Sequence, residues 1–178
     1  MLKNTSLIQK GFTIVELLIV IVVIGILAAL VMNTFSGIQD KARIVSAQND
    51  LKILEKSILL GRETTGKTLK EITYNGWTWY QCDGVADRKN LPKTHGCWTD
   101  YYSALDKIGN AANTNLDELK KGDPWGQPYA IDENEGDFAV DPCQADEIAS
   151  GGKDLSNPLP PSGDDIYVAV RLLTTGCS

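Results

Sequence analysis

Residues 17–32 form a run of sixteen positions without one polar side chain. With residues 12–16 added the segment is 21 residues long, interrupted only by Thr13 and Glu16. At 1.5 Å per residue it would span about 30 Å as a helix, the hydrocarbon thickness of a bilayer. Leu, Ile and Val dominate, and no proline falls inside. The first reading is a membrane helix.

Two features separate it from an ordinary anchor. A carboxylate near one end of a membrane helix is costly, so Glu16 needs a partner or a function. The preceding residues 1–11 are short and polar, with Lys3 and Lys10 as their only charges. A secretory signal carries its apolar region before the cleavage site, whereas a cut after Gly11 would precede the run. The product would keep the hydrophobic segment and begin with a free amine on Phe12. The alternatives are an uncleaved anchor or an ordinary secretory signal. No cysteine follows closely enough for a lipid anchor, and Gly25, Ala28 and Ala29 are interior to the run.

Gly11-Phe12-Thr13-Ile14-Val15-Glu16 followed by a long apolar run resembles the class III signal of type IV pilins and pseudopilins. The resemblance covers Gly11 to about Asp40, and departs at Asn33, where many relatives carry proline. It implies that a prepilin peptidase cuts after Gly11 and methylates Phe12. Glu16, the fifth residue after the cut, would serve assembly by neutralising a neighbour's amine. The implied fold is α+β and type IV pilin-like, a long N-terminal helix packed on a small antiparallel β-sheet domain. The implied partners are the prepilin peptidase, further copies of the chain in a helical filament, an inner-membrane assembly platform and, before assembly, membrane lipid. The chain would sit in the cytoplasmic membrane as a single-pass protein with its head outside. It would then enter an extracellular pilus or a periplasmic pseudopilus.

Composition agrees. The 178 residues allow one ordinary domain plus the anchor. Without residues 1–11 the 17 basic and 23 acidic residues become 15 and 23, and the formal charge moves from −6 to −8. That balance disfavours sequence-independent nucleic-acid binding by the bulk surface. Ile44, Ala47, Leu51, Leu54 and Ile58 follow a 3-4-3-4 spacing, one apolar stripe of a helix. A helix over residues 12–60 is expected, with Gly61 as its stop. The alternative is two helices broken near Asn33–Gly37. The division is then leader 1–11, membrane and filament-core helix 12–32, amphipathic half 33–61, and globular head 62–178.

Within the head, residues 62–70 read as a loop. Ile72-Thr73-Tyr74, Asn75-Gly76 and Trp77-Thr78-Trp79-Tyr80 read as a β-hairpin. Its aromatics are read as packing residues rather than as an adhesive patch. Four cysteines allow three connectivities. In an extracytoplasmic domain disulfides are expected, and nearest-neighbour pairing gives Cys82–Cys97 and Cys143–Cys177. The rival is metal binding by Cys82, His95 and Cys97, whose spacing fits no familiar zinc template. Helices are expected over residues 101–108 and 116–121, the second with Asn115 as N-cap and Gly122 closing it. Residues 129–132, 137–141 and 166–173 read as strands. Asp123-Pro124-Trp125-Gly126-Gln127-Pro128-Tyr129 reads locally as a turn entering a strand, with Trp125 a core anchor; it also resembles a signature of major pseudopilins and some pilins.

Ser150, Asp154, Asp164 and Asp165 fall on the pattern by which major pseudopilins bind calcium, with hard oxygens on a glycine-rich loop. The loop departs from that pattern at Lys153, in place of proline, and at Pro158, Pro160 and Pro161. The plainer alternative is solvated turn acids. Asp132, Asn134 and Asp137 form a second oxygen cluster, but Gly136 is misplaced for an EF-hand loop, so a hairpin turn is read there. No nucleophile elbow, phosphate loop or histidine pair suggests an enzyme. The reading is a structural filament subunit. The alternative from another class is a membrane-tethered calcium-binding adhesin or receptor that never polymerises.

Overall fold

The structure is a computed structural model that describes residues 11, 13–74, 77–135 and 143–173, with the backbone alone for residues 30–36. The chain divides into two compact units, Met1–Lys41 and Ala42–Ser178. Helix α1 (Ile14–Thr65) has 52 residues and no interruption near Asn33. In the first unit its apolar side chains are open to solvent, Ile14 at 84% and Ile24 at 60% exposure. Among the described residues no helix is long and apolar enough to cross a membrane. The described side chains of the apolar run stop at Ala29, and those of residues 30–32 lie outside the described set.

The second unit is built on the predicted stripe. Ala47, Leu51, Leu54 and Ile58 are fully buried, and Ile44 marks the edge of the packed face at 36% exposure. Their partners in one core cluster include Trp98, Tyr101, Leu105 and Ile108 of α3 (Gly96–Ala112) and Ile131, Ile148 and Val170 of the sheet. Each fully buried Leu or Ile contributes about 1.5–3 kcal/mol relative to exposure. The sheet has the order β1-β2-β3, from β1 (Ala130–Asp132), β2 (Asp146–Ser150) and β3 (Ile166–Val170), with both pairings antiparallel. Ile148 stands opposite Ile131 on one side and Val168 on the other. The expected α+β architecture is therefore present.

Several local expectations are corrected. Gly61 does not end α1, because a Cβ there would lie 3.2 Å from the Ala111 Cβ and the bare backbone packs on α3 instead. The helix ends at Gly66, whose φ of +68° is the left-handed conformation that stops helices. The β-hairpin over residues 72–80 is absent. Residues 69–73 form helix α2 (Leu69–Thr73), started by a capping box in which Thr68 and Glu71 bond each other's backbone N–H. Burial of Leu69, Ile72 and Thr73 overrides their β propensity. Thr78–Gln81 is a 3-10 turn, and Asn75-Gly76 lies outside the described residues. Of the aromatics there, Trp79 is buried while Tyr74 and Tyr80 are exposed.

Helix α3 runs through Gly109 to Ala112 rather than stopping at residue 108, and Asn113 caps it at φ +50°. The second expected short helix is a 3-10 turn, Asp117–Lys121, with Asn115 accepting from the Asp117 N–H and Gly122 closing it. Strand β2 was not expected. The expected strand over 137–141, with Gly136, Asp137 and their proposed turn, falls outside the described residues.

Candidate functional site

The first candidate site is the N-terminal turn of α1. Thr13 precedes the helix, and its backbone N–H donates to Glu16 Oε2 at 2.9 Å. The Glu16 N–H donates back to Thr13 Oγ1 at 3.2 Å, and that hydroxyl donates to Glu16 Oε2 at 3.0 Å. This reciprocal arrangement is a capping box, and Thr-x-x-Glu is its sequence signature. It satisfies two amide donors that a helix start otherwise leaves orphaned. Glu16 thus has a local partner before any second chain arrives, one that the sequence reading missed although the spacing carried it. The carboxylate also lies within the first turn, where the helix dipole favours negative charge. Gly11 is exposed at the foot of this turn, while Phe12 and residues 1–10 lie outside the described residues.

The head carries the remaining predicted residues. Cys82 and Cys97 form a disulfide with Cα atoms 4.7 Å apart, which overturns the metal reading of Cys82, His95 and Cys97. His95 instead caps α3, its Nδ1 accepting from the Cys97 N–H at 3.2 Å. Cys143 is also disulfide-bonded, and Cys177 lies outside the described residues.

The Asp123–Tyr129 stretch is the turn expected, and Asp123 is its centre. Its Oδ1 accepts from the N–H groups of Trp125 and Gln127 at 3.0 and 2.8 Å, and its own N–H donates to the Gln127 carbonyl at 2.7 Å. Ser150 at the end of β2 donates its hydroxyl to Asp123 Oδ2 at 2.6 Å. Burial pushes the Asp123 carboxyl above its usual range, against the lowering effect of these donors. Trp125 is half-buried against the main core, and the Tyr129 hydroxyl donates to Asp50 of α1 at 2.7 Å.

Of the four expected calcium ligands, Ser150 is turned away from the loop, while the three acids are bonded within it. Ser150 is buried and committed to Asp123. Asp165 accepts from the Ser156 hydroxyl at 3.0 Å and from the Ser162 N–H at 2.6 Å. Asp154 Oδ1 accepts from the Ser156 N–H at 2.8 Å, and Asp164 Oδ2 from the Lys153 N–H at 2.6 Å. Asp154 and Asp164 do face one another, but among the described residues no group of three or more His, Cys, Asp or Glu could hold a metal ion. Asp132 and Asn134 of the second oxygen cluster are described, Asp137 is not.

Comparison with known proteins places this geometry. A family model described as the prokaryotic N-terminal methylation motif matches residues 7–32. The type II secretion system core protein G of Pseudomonas aeruginosa is 38% identical over 128 residues, covering 68% of this chain and 71% of that protein. The protein of the same name from Escherichia coli K12 is 28% identical over 126 residues, covering 69% and 71%. A fimbrial protein of Pseudomonas aeruginosa is 35% identical over 72 residues, covering 38% and 47%. No solved structure matches.

Proposed function

The chain belongs to the type II secretion system core protein G family of pilin-like structural subunits, and from that premise we propose that it is the repeating subunit of a secretion pseudopilus, polymerised through α1. The observation that carries the choice of pseudopilus over pilus is the extent of the similarity. The match to core protein G reaches well into the head, whereas the fimbrial match covers less than half of that protein.

In this reading a prepilin peptidase cuts after Gly11 and methylates Phe12. The apolar half of α1 then holds the subunit in the cytoplasmic membrane with the head on the outer side. An oxidised Cys82–Cys97 pair suits such a compartment. The exposed apolar side chains of residues 14–29 pack against those of other copies in the filament. Calcium at the loop of Ser150, Asp154, Asp164 and Asp165 is part of the same proposal, supported by Asp154 and Asp164 facing one another, with Ser150 turned to Asp123 instead.

Glu16 is the chemical centre of assembly. The new amine on Phe12 has an ordinary pKa near 8 and is mostly cationic at neutral pH. The capping box keeps the Glu16 carboxylate aimed at the backbone just beyond Phe12, ready to take a neighbour's amine in exchange for its own Thr13 N–H. In an apolar bundle, removing one partner of such a pair typically costs about 3–5 kcal/mol. Glu16→Ala is expected to leave cleavage and membrane insertion intact while abolishing sheared filament, with Glu16→Asp intermediate. Cleaved subunit and filament are quantified separately. Full filament yield from cleaved Glu16→Ala subunits rejects the pairing.

A further inference from the structure

We infer that Tyr74 and the two lysines beside it form a docking surface for an acidic glycan, a function separate from assembly through α1. Tyr74 is the C-cap of α2, at φ 51° and ψ 33°. Glycine and asparagine adopt that left-handed conformation readily, whereas a bulky side chain resists it. The tyrosine held there gains nothing from burial, since it is 78% exposed. Lys67 Nζ lies 5.8 Å from its ring centroid and Lys107 Nζ lies 5.6 Å from it, both within cation–π reach. Lys107 also donates to the Thr73 carbonyl, which anchors its ammonium beside the ring. An open aromatic face, kept against its backbone preference and next to two cations, is not something the fold requires. Strain of this kind collects where a side chain serves a ligand.

The surroundings select the chemistry of the occupant. Tyr74 and Lys107 line two depressions in common. One, of about 220 Å³, also takes in Lys67, Glu71 and Asn110. The other, of about 100 Å³, takes in Asp100 and Ser103. Each depression therefore joins a cation to a carboxylate and a neutral polar side chain. A nucleic acid carries a charge on every phosphate and would meet Glu71 or Asp100 on either side of the ring, on a chain whose formal charge is −6. A sugar avoids that conflict. Its C–H face stacks on the tyrosine, and its hydroxyls donate to the carboxylates and accept from the ammonium groups. In an acidic glycan, the carboxylates set at intervals along the chain pair with Lys67 or Lys107. Thr78 also lines the smaller depression, and beside it in the chain Trp77 packs edge to face on Tyr80 at 5.5 Å, both rings exposed. These rings offer further stacking surface to a glycan longer than one unit.

The test uses the full-length protein in a detergent without sugar headgroups. The probes are a uronic-acid oligosaccharide, a neutral glucan of the same length and an oligothymidylate of the same charge. Binding is titrated by calorimetry, and the melting midpoint of each variant is measured alongside. The uronate is expected to bind at least about tenfold more tightly than either control, and to weaken with added salt. Tyr74→Phe should keep that affinity. Tyr74→Gly should lose about tenfold or more. Its melting midpoint should nevertheless hold or rise, because glycine takes the left-handed backbone without strain. Lys67→Gln should weaken the uronate and leave the neutral glucan unchanged. Absence of uronate binding overturns the inference, as does equal binding of the neutral glucan. Tighter binding of the oligothymidylate assigns the surface to nucleic acid and overturns it too. Uronate affinity that survives in Tyr74→Gly, or a fall in that variant's midpoint, would mean that the ring does not serve a ligand.

Discussion

At the scale of single residues, the buried charges distinguish this head from an ordinary apolar core. Arg62, 1% exposed, points its Nη2 at Glu135 Oε2 at 3.2 Å and at Asp146 Oδ2, and its Nη1 at the Arg171 carbonyl at 2.6 Å. Glu135 is held in turn by the Leu173 N–H, and donates its own N–H to Asp146 Oδ1 at 2.7 Å. Burial alone would lower the Arg62 pKa, and Glu135 opposes that. Arg62→Ala leaves two buried carboxylates uncompensated and is expected to cost about 3–5 kcal/mol in denaturant unfolding. A loss under about 1 kcal/mol would show that the acids find other partners. Glu133 is the opposite case, a buried carboxyl with its usual pKa of 4.5 pushed by burial to about 7 despite donors from Thr78. Its folded pKa is raised, so the native state binds the extra proton between these two values. The stability it contributes is complete below pH 4.5 and is lost as pH rises through about 7. Melting measured at pH 5 and pH 8 should show this fall, and Glu133→Gln should flatten it. An equal slope in the variant would assign the pH dependence to other groups.

At the scale of elements, closures and glycines set where each piece stops and how close it comes to its neighbours. Helix α1 passes Gly61 because that position is a packing site against α3, and it stops at Gly66, where the backbone turns left-handed. Gly109 plays the same packing part in α3, since a Cβ there would lie 2.8 Å from the Thr114 carbonyl oxygen. The Cys82–Cys97 bridge closes a segment with a sequence separation of 15 and buries both sulfurs beside Trp79, Ala130 and Ala149. A loop of that length restricts the unfolded chain by about 3 kcal/mol. The double variant Cys82→Ser/Cys97→Ser should lose about that much stability. Its loss should appear first as faster exchange in the segment that carries Arg88. Exchange confined to other elements would mean that the bridge does not hold this segment in place.

At the scale of the whole molecule, the chain joins an exposed apolar helix start to a head with its own core. In the proposed filament each apolar face would gain a neighbouring copy, and cleavage would supply the amine that Glu16 pairs with. Intact-mass analysis of native subunits is expected to show a chain beginning at Phe12 and carrying one methyl group. A mature chain that retains residues 1–11, or that starts after Ala29, would remove the amine on which the pairing depends.

The sequence by itself determined whatever depends on near neighbours. The apolar run, the stripe through Ala47, Leu51, Leu54 and Ile58, the turn begun by Asp123 and the Thr13–Glu16 spacing are all short-range patterns. Each follows from helix geometry or from a side chain reaching its own backbone, although the last was legible and went unread. The nearest-neighbour disulfide was legible for the same reason. Tertiary structure decided the rest. Ile72-Thr73-Tyr74 has β-forming residues but follows a capping box, and a helical turn buries Ile72 and Thr73 while Tyr74 stays exposed, so packing outweighed propensity. The Arg62 cluster draws on residues up to 109 positions apart, and Arg88 reaches carbonyls 67 and 68 positions away. No local period announces such contacts, because a buried charge is stabilised by whichever oxygens the fold delivers to it. The resemblance to calcium-binding loops was written in residue types alone. The direction of Ser150, turned into Asp123, was settled only by the packing of the head.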